Sequence, residues 1–201
     1  MAIFGTAAKI MLQHLVDFDR HLFYAINHGM SNSFFDAVMP WVSNKKNWIP
    51  LYILIIAFCL WKYRMWGFAI IIGISLSAGI ADFTSASIVK AEVQRLRPCH
   101  DPVTAPTDIE RIPCGSDYSF PSTHATDHFA MAVFMALIWC KRWRWIWLWA
   151  ILWAGLIGFS RVYVGLHFPL DVLCGTLYGT LVGWLVSLIY KKLTVKYHFQ
   201  V

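Results

Sequence analysis

The sequence predicts an all-α fold, a polytopic transmembrane helix bundle of five to six spans with amphipathic helices at its N-terminus. Two observations carry that prediction. The 201 residues are 58% hydrophobic and only 14% charged, whereas an ordinary soluble domain is about 45–50% apolar and about 25% charged. Apolar segments also recur at about the length that crosses a bilayer, roughly 20 residues, and the mean hydropathy is +0.54. No linker, low-complexity stretch or internal repeat divides the chain, so one unit is expected.

In chain order, residues 1–46 read as amphipathic interfacial helices. "LVDFDRHLFYAINHG" and "SFFDAVMPWVSN" each alternate apolar and polar faces, and Gly29, Ser31 and Asn32 break them apart. Such pieces lie in the membrane interface more often than they cross it; a sixth span is the alternative. Lys9, His14, Asp17 and Asp19 interrupt the first apolar run, so no cleavable leader is expected. Residues 47–201 form the transmembrane core. Its candidate spans are Trp48–Trp61, which is short, then Trp66–Val89, Phe120–Cys140, Trp145–Tyr163 and Pro169–Tyr190. The one long polar loop, 99–119, joins the second of these to the third.

Charge sets the orientation. Lys62 and Arg64, then Lys141, Arg142 and Arg144, then Lys191, Lys192 and Lys196 fall on one side of alternating spans. The positive-inside rule makes that side cytoplasmic, and the tryptophans of "KRWRWIWLWAILW" suit its interface. The loop 99–119 then faces outward. Lys45, Lys46, Lys90, Arg95, Arg97, Arg111 and Arg161 are left on the outer side, which counts against this orientation unless function holds several of them there.

The net charge of +6 is scattered at the ends of apolar runs instead of gathered in a basic block. That suits lipid head groups and speaks against a nucleic-acid partner. Cys59, Cys140 and Cys174 lie inside apolar runs as small core residues. Cys99 and Cys114 bracket the loop and form a disulfide if it faces an oxidising compartment, or stay a free pair if it does not.

Three clusters meet at the outer face. Lys90 and Arg97 are seven residues apart and share one helix face, with Pro98 ending that helix. Snorkelling to the interface is the structural alternative. In "PSTH", Pro121 suits a first helical turn, Ser122 or Thr123 a cap, and the free N–H groups an anion; His124 falls in the same turn. In "SRVYVGLHFPLD", Arg161 ends one span, and Asp171, in the first turn of the next, reaches back to His167. A carboxylate on one ring nitrogen fixes the tautomer and leaves the other nitrogen as a nucleophile or base. Three cations, two helix N-termini, a His–Asp pair and a second His are the inventory of phosphoryl transfer.

Lys90-x6-Arg97-Pro98, Pro121-Ser122-Thr123-His124 and Ser160-Arg161-x5-His167-x3-Asp171 together resemble the three-part signature of the type-2 phosphatidic acid phosphatase superfamily. Order and spacing match over Lys90 to Asp171, and the span pattern extends the likeness to roughly Trp48–Tyr190. Thr123 stands where the family usually has Gly or Ser. The resemblance implies a membrane hydrolase needing no metal or other cofactor, working through a phosphohistidine. His167 would attack phosphorus, Asp171 would orient it, and His124 would protonate the leaving oxygen. Lys90, Arg97, Arg161, Ser122 and the Thr123 backbone would hold the phosphate. The expected substrate is a lipid phosphate or diphosphate drawn from the bilayer, as in small bacterial undecaprenyl-diphosphate and lipid A phosphatases. The expected location is a bacterial inner membrane, with the site facing the periplasm or exterior.

Two other readings compete. His124-x3-His128 puts two imidazoles on one helix face, a spacing that suits a metal, although the neighbouring cations oppose one. Asp82, inside a span, suits a lipid-phosphate binding or transport protein with a polar path. Such a binder has no need of His124, His167 and Asp171 together.

Overall fold

The computed structural model describes residues 2–196, with side chains described from 8 to 194. Residue 1 and residues 197–201, the outer ends of the two expected regions, lie outside the described residues. The chain is helical with no strand among the described residues. Its helices are α1 (Ala2–Asn27), α2 (Ser33–Ser43), α3 (Ile49–Tyr63), α4 (Met65–Phe83), α5 (Lys90–Val93), α6 (Thr123–Trp139), α7 (Ile146–Tyr163) and α8 (Pro169–Lys196). A π-helical stretch, Thr84–Val89, joins α4 to α5.

Three stretches are long and apolar enough to cross a membrane: Met65–His100, Ile146–Tyr163 and Pro169–Thr194. The protein is an integral membrane protein. The other two expected spans fall short for different reasons. Helix α3 has 15 residues, below the roughly 20 a bilayer needs. Helix α6 has 17 residues and is walled in by its neighbours, so it carries Thr126, Asp127 and His128 buried where a lipid-facing helix could not.

Helix α6 is the axis of the bundle and packs against α8, α7 and α4. The closest approach is glycine-based. A Cβ added at Gly175, Gly179 or Gly183 of α8 would overlap the backbone carbonyl oxygen of Ser122, just ahead of α6, or of Thr126 or Ala130 on it, so only this small-residue ridge lets the two backbones touch. Outward faces of α3, α4 and α8 expose Ile53, Leu54, Ile72, Leu76, Leu177 and Leu181, as a lipid-facing surface does.

Helix α1 packs on α7 and α8, burying Asp19, Phe23 and Asn27. Asn27 stitches the loop to the bundle: its Nδ2 donates to the Ile109 and Tyr163 carbonyls at 3.1 and 2.9 Å, and its Oδ1 accepts from Ile109 N at 3.0 Å. Asn32 caps α2, accepting from the Phe34 and Phe35 N–H groups.

Two local expectations change. Lys90 and Arg97 do not share a helix face. Gln94 adopts the left-handed conformation (φ 51°, ψ 32°) and ends the helix after Val93, and Arg97 is extended (φ −72°, ψ 158°) ahead of Pro98. Pro121, after a cis peptide bond, is not in the first turn of α6, which starts at Thr123. Ser122 is held extended at φ −71°, ψ 106°, where its N–H reaches the Asp171 carbonyl at 3.0 Å.

Candidate active site

The cations converge although their helix face does not exist. Lys90 Nζ donates to Asp117 Oδ2 at 2.5 Å, and Arg97 Nη2 donates to Asp117 Oδ1 at 2.6 Å. Arg97 is held further by the Asp117 carbonyl (2.9 Å) and the Leu166 carbonyl (3.0 Å). Burial pushes the Asp117 carboxyl up, but the bond from Lys90 and the charge of Arg97 outweigh it and hold the group at about 2. Arg161, buried near the end of α7, donates to Ser43 Oγ at 2.6 Å. Its charge acts on Lys90, Arg97, His124 and His167.

His167 sits in the turn between α7 and α8, fully buried. Its Nδ1 is 3.8 Å from Asp171 Oδ2, beyond direct bonding. The Ser119 hydroxyl lies between them, 3.3 Å from His167 Nδ1 and bonded to Asp171 Oδ2. On the other side Arg97 Nη1 faces His167 Nε2 at 3.4 Å. These partners assign the proton to Nδ1 and the lone pair to Nε2. Burial, reinforced by Arg161 and Arg97 and only partly offset by Asp171, lowers the ring to about 4. It is therefore neutral near pH 7.

Asp171 is anchored from three directions. Phe168 N donates to Oδ2 at 2.8 Å, Ser119 donates to the same oxygen, and Arg95 Nη1 donates to Oδ1 at 2.7 Å. Arg95 in turn donates to Asp19 Oδ2 at 2.6 Å and lies 4.2 Å over the Phe168 ring.

The start of α6 is left open. Ser122 Oγ, Thr123 Oγ1 and Arg161 Nε are buried with no partner among the described residues. His124 follows, with no hydrogen bond to its ring among the described residues. One turn on, His128 is fully engaged: its Nδ1 donates to the His124 carbonyl at 2.7 Å and its Nε2 accepts from Tyr52 OH at 2.9 Å. A metal shared by His124 and His128 would have to break one of those bonds. Asp127 Oδ2 accepts from Lys45 at 2.9 Å, and Lys45 also lies 3.8 Å from Asp82. Below them an apolar cavity of about 280 Å³ is lined by Tyr52, Ile55, Ile71, Ile74, Met131 and Trp153, with Asp127 and His128 in its wall.

Five residues at this site carry no sequence motif: Asp19, Ser43, Arg95, Asp117 and Ser119. Arg95 and Ser119 each lie within two residues of a motif position, which was the available signal. Cys99 and Cys114 are joined as a disulfide, with Cα atoms 6.6 Å apart, closing the loop between Arg97 and Asp117.

The PAP2 superfamily profile matches residues 66–194. A lipid A 4'-phosphatase of Bacteroides thetaiotaomicron is 33% identical over 190 residues, covering 92% of this chain and 83% of that protein. The undecaprenyl-diphosphatase BcrC of Bacillus subtilis is 31% identical over 163 residues, covering 76% and 74%. Among solved structures, a transmembrane PAP2-type phosphatidylglycerolphosphate phosphatase from Bacillus subtilis superposes with a TM-score of 0.70 at 23% identity, covering 92% of this chain and 90% of that one. Aquifex aeolicus LpxE gives 0.60 at 24% identity, covering 83% and 92%. These two likenesses speak to the fold.

Proposed function

The chain belongs to the PAP2 superfamily, and from that premise we propose that it is a membrane phosphatase that removes phosphate from a lipid through a phosphohistidine on His167. The observation that carries this reading is the set of buried donors without partners, Ser122 Oγ, Thr123 Oγ1 and Arg161 Nε. Buried donors are nearly always bonded. Three left open beside Lys90, Arg97 and the N-terminus of α6 match the several oxygens and negative charge of a phosphoryl group.

The substrate phosphate displaces the Asp117 carboxylate from Lys90 and Arg97. The Nε2 lone pair of His167 then forms a bond to phosphorus as the bond to the leaving oxygen breaks, and that oxygen takes a proton from His124. Asp171, through Ser119, holds the Nδ1 proton and balances the imidazolium that forms. A water molecule next gives its proton to His124 and bonds to phosphorus; the N–P bond breaks, its electrons return to Nε2, and inorganic phosphate leaves. The three cations supply the positive charge, so the reaction needs no metal.

A lipid substrate follows from placement. The apolar cavity beside His128 can take part of a hydrocarbon chain while the phosphate lies on Lys90 and Arg97. We read five spans, with α3 and α6 completed by flanking residues and α1 and α2 at the interface. The site then faces the periplasm or exterior of a bacterial inner membrane. The named relatives favour undecaprenyl diphosphate or a lipid A phosphate.

Phosphate release by the detergent-solubilised full chain from a panel of lipid monophosphates and diphosphates, with and without EDTA, tests this. Release that survives EDTA is expected. Release abolished by EDTA would return the metal reading, and binding without release from any lipid would favour a lipid-phosphate binding protein.

A further inference from the structure

We infer that Asp19, on the N-terminal helix, is a positioning and charge-balancing residue for the His167 reaction, acting through Arg95. This rests on the phosphohistidine reading above. Asp19 is fully buried and serves two groups at once. Its Oδ2 accepts from Arg95 Nη2 at 2.6 Å, and its Oδ1 accepts from Leu170 N at 2.9 Å, in the first turn of α8. One helical turn further along α1, Phe23 meets Phe168 edge-on, with ring centroids 5.4 Å apart. The Arg95 guanidinium lies over that same Phe168 ring. One face of α1 therefore fixes both the cation that grips Asp171 and the turn that carries His167.

Packing alone does not account for this arrangement. Two buried carboxylates around one guanidinium are costly to desolvate, and an apolar substitute would hold α1 more cheaply. Counting charge explains the choice. While His167 is neutral, Asp19, Arg95 and Asp171 sum to one net negative charge. When Nε2 bonds to phosphorus, the ring keeps its Nδ1 proton and becomes cationic, and the four groups then sum to zero. Without the Asp19 charge, Arg95 and Asp171 would neutralise each other and leave no net negative charge on the Nδ1 side of the ring. The cluster is thus set in advance for the charged state of His167 and not for its resting state.

The test uses the full chain in detergent, with turnover of a lipid phosphate and calorimetric binding of vanadate and of inorganic phosphate. Vanadate reports the bond to the nucleophile; inorganic phosphate reports the cation clamp. Asp19→Asn keeps the shape and removes the charge. It should lower kcat roughly tenfold or more with KM unchanged, weaken vanadate, and leave phosphate binding intact. The double variant Asp19→Asn/Arg95→Gln restores the count and should turn over faster than Asp19→Asn alone. Unchanged kcat, parallel loss of vanadate and phosphate binding, or a double variant slower than Asp19→Asn would each overturn the inference. If the wild type releases no phosphate from any lipid, the phosphatase reading fails. The two binding measurements still decide on Asp19, since they need no turnover.

Discussion

One turn of α6 separates two histidines in opposite conditions. Around His124, two hydroxyls and a guanidinium nitrogen are buried without partners, and the ring itself accepts or donates nothing among the described residues. At His128, both ring nitrogens are bonded and Trp153 packs edge-on at 5.1 Å. Spacing alone makes the two rings look like a pair. The rings differ in their own bonding: both nitrogens of His128 are taken, whereas His124 lies beside donors left without partners among the described residues, the arrangement expected where something else supplies the acceptor.

The sharpest way to break this comparison is substitution. His167→Ala and His124→Ala should each reduce phosphate release by roughly 10³-fold or more with the protein still folded by circular dichroism. His128→Ala should keep turnover per folded molecule within a few-fold, while costing about 1–3 kcal/mol of stability from the partners left behind. Equal losses of turnover at His124 and His128 would sink the distinction.

Acid sharpens the contrast between a histidine kept neutral and one free in an unfolded chain. An unfolded imidazole takes its proton near 6.5, while burial holds His167 at about 4. Between those values the unfolded chain binds the extra proton. Stability should therefore fall as the pH drops from about 6.5 to about 4, by up to about 3 kcal/mol. Thermal unfolding at stepped pH should show this slope in the wild type and a flatter one in His167→Gln. An unchanged slope in the variant would assign the loss to other groups.

The smallest effect concerns the clamp itself. Asp117 competes for the groups that would hold phosphate, and its side chain is 57% exposed where those of Lys90 and Arg97 are 7% and 5%. It is the partner free to leave. Asp117→Asn should lower KM and tighten product inhibition by phosphate by a similar factor, roughly tenfold, without raising kcat. Weaker phosphate inhibition would mean instead that Asp117 organises the two cations.

Much of the fold was legible because apolar runs and helix-start residues are local signals. Each of the five expected spans coincides with a helix in position, and the break read at Gly29, Ser31 and Asn32 falls between α1 and α2. The ends were harder. Nothing in "AEVQRLRP" marks Gln94 as the left-handed residue that stops the helix. Ser122 is drawn out of α6 by a carbonyl 49 residues away, at Asp171. At the site, the motif residues Arg97 and His167 face each other, but through geometry that the motifs did not imply. The His167–Asp171 contact runs through Ser119, and the clamp closes on Asp117. Asp19 and Arg95 escaped notice because their partners lie 76 residues apart in sequence, and a charge in an amphipathic helix reads as a solvated face until its neighbour is known.

The glycine ridge on α8 turns the distance between two histidines into a dimension of the main chain. His124 rides on α6, His167 on the turn that leads into α8, and where these helices meet, backbone lies on backbone with no side chain between. Rotamer changes, loosened packing or an exchanged lipid neighbour can all alter side chains elsewhere without altering that gauge. Enlarging any of the three glycines by one methyl group would instead reset it by wedging the helices apart.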